Sequence, residues 1–215
     1  MIKKFNKQNT GRKVLNEAKG YTIIETMIAI SLFTIIVISG MGALMSGNAI
    51  HQKSQGMRSI MDNLSFITED ISRNLRTGSK YHCLETGETI DPLRANELST
   101  PKSCESGGWA IAFEPPKGTS SFGDQWVYYI SNDGKIFKVA GGPYEGENFV
   151  QLTPDEVVID SGASGFTVFG AESPTTGDLR QPFAIIRLVG TITYREDIVT
   201  PFSIQTAVSQ RQVDI

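Results

Sequence analysis

Residues 20–45 read GYTIIETMIAISLFTIIVISGMGALM, and this stretch decides how the rest of the chain is understood. From Tyr21 to Met45 the only charged side chain is Glu25. As a helix rising about 1.5 Å per residue, the run spans roughly 37 Å, enough to cross a bilayer. An ordinary secretory apolar region is shorter, about 7–15 residues.

Upstream, residues 1–20 carry Lys3, Lys4, Lys7, Arg12, Lys13 and Lys19 against the single acid Glu17. This head is about +5 within a 215-residue chain of net charge -3, so the remainder is about -8. A basic head before an apolar span stays cytoplasmic under the positive-inside rule, and everything after Met45 is exported. No Lys/Arg cluster elsewhere suggests nucleic-acid binding.

Glu25 is the anomaly. A carboxylate in an apolar helix costs about 2.5–3.5 kcal/mol on insertion scales. One reading places it near the helix end, reaching the headgroups. The other gives it a charged partner later. Cleavage between Gly20 and Tyr21 would leave an ammonium one turn away, and in a bundle of staggered copies Glu25 of one chain could pair with a neighbour's amine. Its burial would then set register and partner.

Gly20–Tyr21–Thr22–Ile23–Ile24–Glu25, after a basic leader and before about 20 apolar residues, resembles the type IV prepilin processing signal. That family has Gly last in the leader, an aromatic (usually Phe) first in the mature chain, and Glu fifth. Gly20, Tyr21 and Glu25 match; Tyr21 stands for the common Phe, and Thr26 for the Leu that usually follows the Glu. The resemblance implies cleavage after Gly20 by prepilin peptidase and N-methylation of Tyr21. It also implies assembly through Glu25 into a pilus, or into a secretion or competence pseudopilus. The implied partners are other pilins through a helix bundle, an assembly platform protein and its ATPase indirectly, and the inner membrane. Members often carry Pro about 22 residues into the mature chain; here Gly40 and Gly42 occupy that region, with Gly47 beyond. Each glycine weakens a helix by about 1 kcal/mol relative to Ala. They serve close helix packing or a stretch able to unwind in a filament.

Past Met45 the pattern becomes amphipathic. Ile50, Met57, Ile60, Met61, Leu64, Ile67, Ile71 and Leu75 fall on one helical face, with charged residues between them and Gly78 as a C-cap. The expectation is one helix over 21–77, greasy all round in its first half and striped in its second. Beyond it, WAIAF (109–113), QWVYYI (125–130), KIFKVA (135–140), 149–152, 156–159, 166–169, FAIIRLVGTITY (183–194) and PFSIQTAV (201–208) read as strands. Asn132–Asp133–Gly134 makes a hairpin turn between the second and third. The fold class is α+β: a long N-terminal helix packed on a mainly antiparallel, pilin-like β-sheet head. The organisation is leader 1–20, membrane or filament-core helix 21–45, amphipathic helix 46–78 and extracytoplasmic head 79–215. The stretch MDNLSFITEDISRNLRTGSKYHC and the closing FSIQTAVSQR resemble minor pilins and pseudopilins of the J and W types, which implies a minor subunit.

Cys83 and Cys104 pair most simply as one disulfide in an exported head; two buried thiols are the alternative. Closing about 20 residues contributes roughly 3 kcal/mol. His51 and His82 are the only histidines. With no nucleophile elbow beside them, no enzyme and no cofactor is expected. The two Cys and two His lack zinc spacing. Asp155, Glu156 and Asp160 are hard ligands for part of a calcium site, or solvated acids beside a strand; the expectation is no metal. The glycines around 162–170 lack the Lys-Ser/Thr of a phosphate loop. Trp109, Trp126, Tyr128 and Tyr129 line a ligand groove or pack across strands. A different class of function is an exported or anchored binding domain, cut by signal peptidase after Gly47–Asn48–Ala49 to start at Ile50.

Overall fold

A computed structural model describes residues 20–90, 97–118, 123–195 and 198–211. Residues 1–19, all but the last residue of the expected leader 1–20, lie outside them. One helix, α1, runs unbroken over Ile23–Thr77. The chain divides into two compact units between Ile50 and His51.

In the first unit, α1 is apolar on every side and almost nothing covers it. Ile24 is 71% exposed, Phe33 67% and Leu44 75%. The helix is long and apolar enough to span a membrane. Three of its hydroxyls turn inward on the backbone. Thr26 donates to the Ile23 carbonyl at 2.8 Å, Ser31 to Met27 at 2.8 Å and Thr34 to Ile30 at 2.8 Å. Such back-bonding satisfies a hydroxyl where water is absent. The helix does not break at Gly40, Gly42 or Gly47, and a Cβ at any of them would meet open space.

In the second unit, the stripe works as its spacing requires from Ile60 onward. Ile60, Leu64, Ile67, Ile71 and Leu75 are buried, and Met57 and Met61 pack beside them. Ile50, expected on the same face, is instead 69% exposed and belongs to the bare first unit. The described residues form ten antiparallel strands in two sheets, and side chains from both sheets pack against the stripe. The first sheet has the order β1-β3-β4-β5-β6. Its strands are β1 (Ser79–Leu84), β3 (Ala110–Glu114), β4 (Trp126–Ile130), β5 (Ile136–Ala140) and β6 (Val150–Gln151). The second sheet runs β10-β9-β8-β2, with β7 also on β9. It uses β2 (Cys104–Gly108), β7 (Val157–Ile159), β8 (Gly165–Phe169), β9 (Phe183–Arg195) and β10 (Ile198–Ser209). At 13 residues β9 is long enough to carry two partners end to end, with β8 along 183–187 and β7 along 190–192.

Alternation along the first sheet sorts its side chains onto two faces. Ile111, Phe113, Tyr128 and Ile136 join Leu64, Ile71 and Leu75, together with Phe166, Ile186, Leu188 and Ile192 of the second sheet, in one core. Each such aliphatic or aromatic side chain contributes about 1.5–3 kcal/mol on burial. The opposite face of the first sheet carries a smaller cluster of Ala110, Ala112, Val127, Val139 and Tyr144.

Two glycines hold places no other residue fits. Gly78 follows the helix as expected and bonds back to the Asn74 carbonyl at 2.8 Å. Its φ is not positive, however, so a left-handed cap is not its role. A Cβ there would run into the Phe113 ring and the Glu114 carbonyl, so the position is kept small by the approach of β3. Gly134 closes the hairpin at φ 72° and accepts from the Ile159 N–H at 2.8 Å, tying the β4–β5 turn to β7. β4 and β5 pair antiparallel as the expected hairpin, joined by residues 131–135.

Candidate functional site

The residues singled out for processing and assembly sit at the start of α1. Gly20, Tyr21 and Thr22 are non-helical and exposed, and Tyr21 is 80% exposed. Thr22 is the N-cap: its hydroxyl accepts from the Glu25 N–H at 3.2 Å, and its carbonyl accepts from the Thr26 N–H at 3.1 Å. Thr-x-x-Glu is the capping-box spacing, and that signal would have identified Thr22 from sequence. Glu25 therefore lies in the first helical turn, where the helix dipole favours a carboxylate by about 0.3–1 kcal/mol. Among the described residues its carboxylate has no hydrogen-bond or ion-pair partner. The geometry offers a non-helical, exposed Gly20–Tyr21 bond and, one turn beyond it, a carboxylate with no partner among the described residues.

Cys83 and Cys104 form the disulfide, with Cα atoms 5.8 Å apart. Cys83 lies on β1 of the first sheet and Cys104 on β2 of the second, so the bond ties the two sheets together. Backbone bonds reinforce this seam: Lys102 N–H to the Tyr81 carbonyl at 2.9 Å and Cys83 N–H to the Lys102 carbonyl at 3.0 Å. Beside it, the Glu172 carboxylate accepts from the Ser103 N–H at 2.7 Å and the Ser103 hydroxyl at 2.5 Å. Burial alone would raise the Glu172 pKa, but these bonds outweigh it and hold the group lower.

The histidines are apart. His51 pairs with Gln55 at 3.0 Å on the helix. The His82 Nδ1 meets the Thr100 carbonyl at 2.7 Å, and burial lowers its pKa. Asp155 and Asp160 do not converge. Asp160 caps its own turn through the Gly162 N–H at 2.9 Å, and the Asp155 carboxylate accepts from Gln151 at 3.3 Å. The Lys135 ammonium, which sequence reading missed, donates to the carbonyls of Asp155 and Val157 at 2.9 and 2.7 Å. Among the described residues no three His, Cys, Asp or Glu side chains are grouped to hold a metal ion.

The four aromatics divide between the faces of the first sheet instead of lining one groove. Trp126 and Tyr128 lie on the helix side, where Lys138 Nζ sits 4.7 Å from the Trp126 ring centroid. Trp109 and Tyr129 lie on the other side, edge-on at 5.8 Å. On the helix side, Asp70 gathers three donors: the Tyr128 hydroxyl at 2.8 Å, Asn74 at 3.0 Å and Lys138 at 3.0 Å. Burial opposes ionisation of Asp70, yet the bonds from Lys138 and Tyr128 prevail and lower its pKa. This node fastens α1 to β4 and β5.

Comparison with family models, with curated proteins and with solved structures finds no match to this chain.

Proposed function

We propose that the chain is a pilin-like subunit of a type IV filament machine, a pilus or a secretion or competence pseudopilus, and within that class a minor subunit. The carrying observation is an uncovered apolar helix entered through an exposed, non-helical Gly20–Tyr21 bond, with a Glu25 in its first turn whose carboxylate has no partner among the described residues. A protease needs its substrate bond outside helical structure and accessible, and this bond is both. In this reading the precursor sits in the inner membrane with residues 1–20 inside and the head outside. Prepilin peptidase cuts after Gly20, and the new amine of Tyr21 is methylated. The platform protein and its ATPase then move the helix out of the bilayer. There its bare surface is covered by neighbouring helices, and Glu25 meets a neighbour's terminal amine. The chemistry is assembly, not catalysis.

A signal-peptidase cut after Ala49 is disfavoured, because that bond lies within continuous helix and would have to unwind first. The test is co-expression with a prepilin peptidase. The wild-type chain is expected to shorten by its leader, whereas Gly20→Arg stays full length in the membrane. Processing of the arginine variant at the wild-type rate would refute the assignment.

A further inference from the structure

On the face of the first sheet turned away from α1, three separated loops border a groove of about 740 Å³. That volume is within the range of ligand clefts, about 300–1,000 Å³. Its floor includes Trp109, ahead of β3, and Tyr129 of β4, both half-buried and set at 76° to one another. Trp109 is fixed by a bond from its Nε1 to the Glu85 carbonyl at 3.1 Å, and Tyr129 is stacked on Phe137 at 5.1 Å. The platform is therefore held rigid before any ligand arrives. Around it stand Thr89, Asn132, Asp133 and Ser161, from the segment after β1, the β4–β5 turn and the segment after β7. None of these four side chains has a hydrogen-bond partner among the described residues.

The chemistry of the rim selects the ligand. Among the described residues no Lys or Arg lines the groove, while two carboxylates, Glu88 and Asp133, do. An anionic ligand would meet the Asp133 carboxylate, which has no ion-pair partner among the described residues. The Glu88 carboxylate is already engaged by Lys102 at 2.6 Å, which leaves Asp133 with the amide and hydroxyls as free donors and acceptors. A sugar ring presents an apolar C–H face and a rim of hydroxyls. Rigid aromatic rings match the first, and paired oxygen and amide groups match the second. We propose that this groove binds a neutral oligosaccharide, with Trp109 and Tyr129 as the stacking platform and Asn132 and Asp133 reading the hydroxyls. The proposal holds whether or not the chain is a filament subunit.

The test uses the full chain in nanodiscs free of glycolipid, titrated with cellotetraose, chitotetraose and mannotetraose. Tryptophan fluorescence is the readout. A saturable change with Kd of about 1 mM or tighter is expected for at least one of them. It is expected to disappear in Trp109→Phe, persist in Trp126→Phe, and weaken about tenfold in Asn132→Ala or Asp133→Ala, both at an exposed turn. Three results would overturn the proposal: no saturable response to any of the three, a response unaltered by Asn132→Ala with Asp133→Ala, or a tighter response to tetramethylammonium, which would make the groove a cation cage.

Discussion

Replacing Asp70 by Ala is expected to loosen the head at its helix–sheet contact. The substitution removes the acceptor shared by the Tyr128 hydroxyl, Asn74 and Lys138. Tyr128 is fully buried, and Asn74 still donates to its oxygen at 2.7 Å, but the hydroxyl proton loses its only acceptor among the described residues. An unsatisfied buried hydroxyl costs about 1–3 kcal/mol. The Lys138–Asp70 ion pair adds less, because Asp70 is 43% exposed and Lys138 20%; such pairs contribute about 0.2–1 kcal/mol. The expected loss is therefore about 1–4 kcal/mol. Tyr128→Phe alone is expected to cost about 1 kcal/mol, and the double variant less than the sum by about 1 kcal/mol or more. Urea unfolding followed by the fluorescence of Trp126, which lies against Lys138, measures this. The pH dependence has a definite sign. The Asp70 pKa is lowered from its ordinary 3.8, so its contribution is present above that value and is lost as pH falls through the folded-state value. A midpoint for Asp70→Ala within about 0.5 kcal/mol of wild type, or strict additivity with Tyr128→Phe, would refute the shared-acceptor argument.

His82 is held neutral by burial, its pKa below the ordinary 6.5. The unfolded chain then binds the extra proton, so stability is expected to be full above pH 6.5 and to fall as pH drops below it. His82→Gln should flatten that slope in thermal melts from pH 7.5 to 5.5, and an unchanged slope would assign it elsewhere. Gly78→Ala is expected to cost about 1–3 kcal/mol, since its methyl would displace Phe113; equal unfolding midpoints would show that β3 yields freely. Glu25→Ala should leave cleavage intact and impair incorporation into filaments, as judged by sheared-fibre immunoblots; normal incorporation would remove the pairing role of Glu25.

Much of this architecture is legible in the residues because its signals are local. The uninterrupted apolar run, the stripe from Ile60 to Leu75 and the alternation in WVYYI and FAIIRLVGTITY each declare their element within one segment. β1 and β2 escape that reading. CESGG has two glycines and little β propensity, and it meets β8 only at Cys104 and Gly108 around an irregularity. SKYHCL is broken in register between Ser79 and His82, with Lys80 at φ 52°. The division into two sheets turns on β7 joining β9 instead of β6, a long-range choice that no short window carries. The same limit hides the Asp70 node, since helix spacing gives no hint that residues 128 and 138 will close on residue 70. Cys83 and Cys104 could be paired from their number alone, but that their bond would tie one sheet to the other required both missed strands.

Gly20, Tyr21 and Glu25 carry the central claim, and the mature N-terminus tests it most directly. Intact-mass and N-terminal mass spectrometry of the protein from its native membrane should find a chain beginning at Tyr21 with a methylated amine. A chain beginning at Met1 or Ile50 would contradict processing at Gly20, and with it the filament-subunit account.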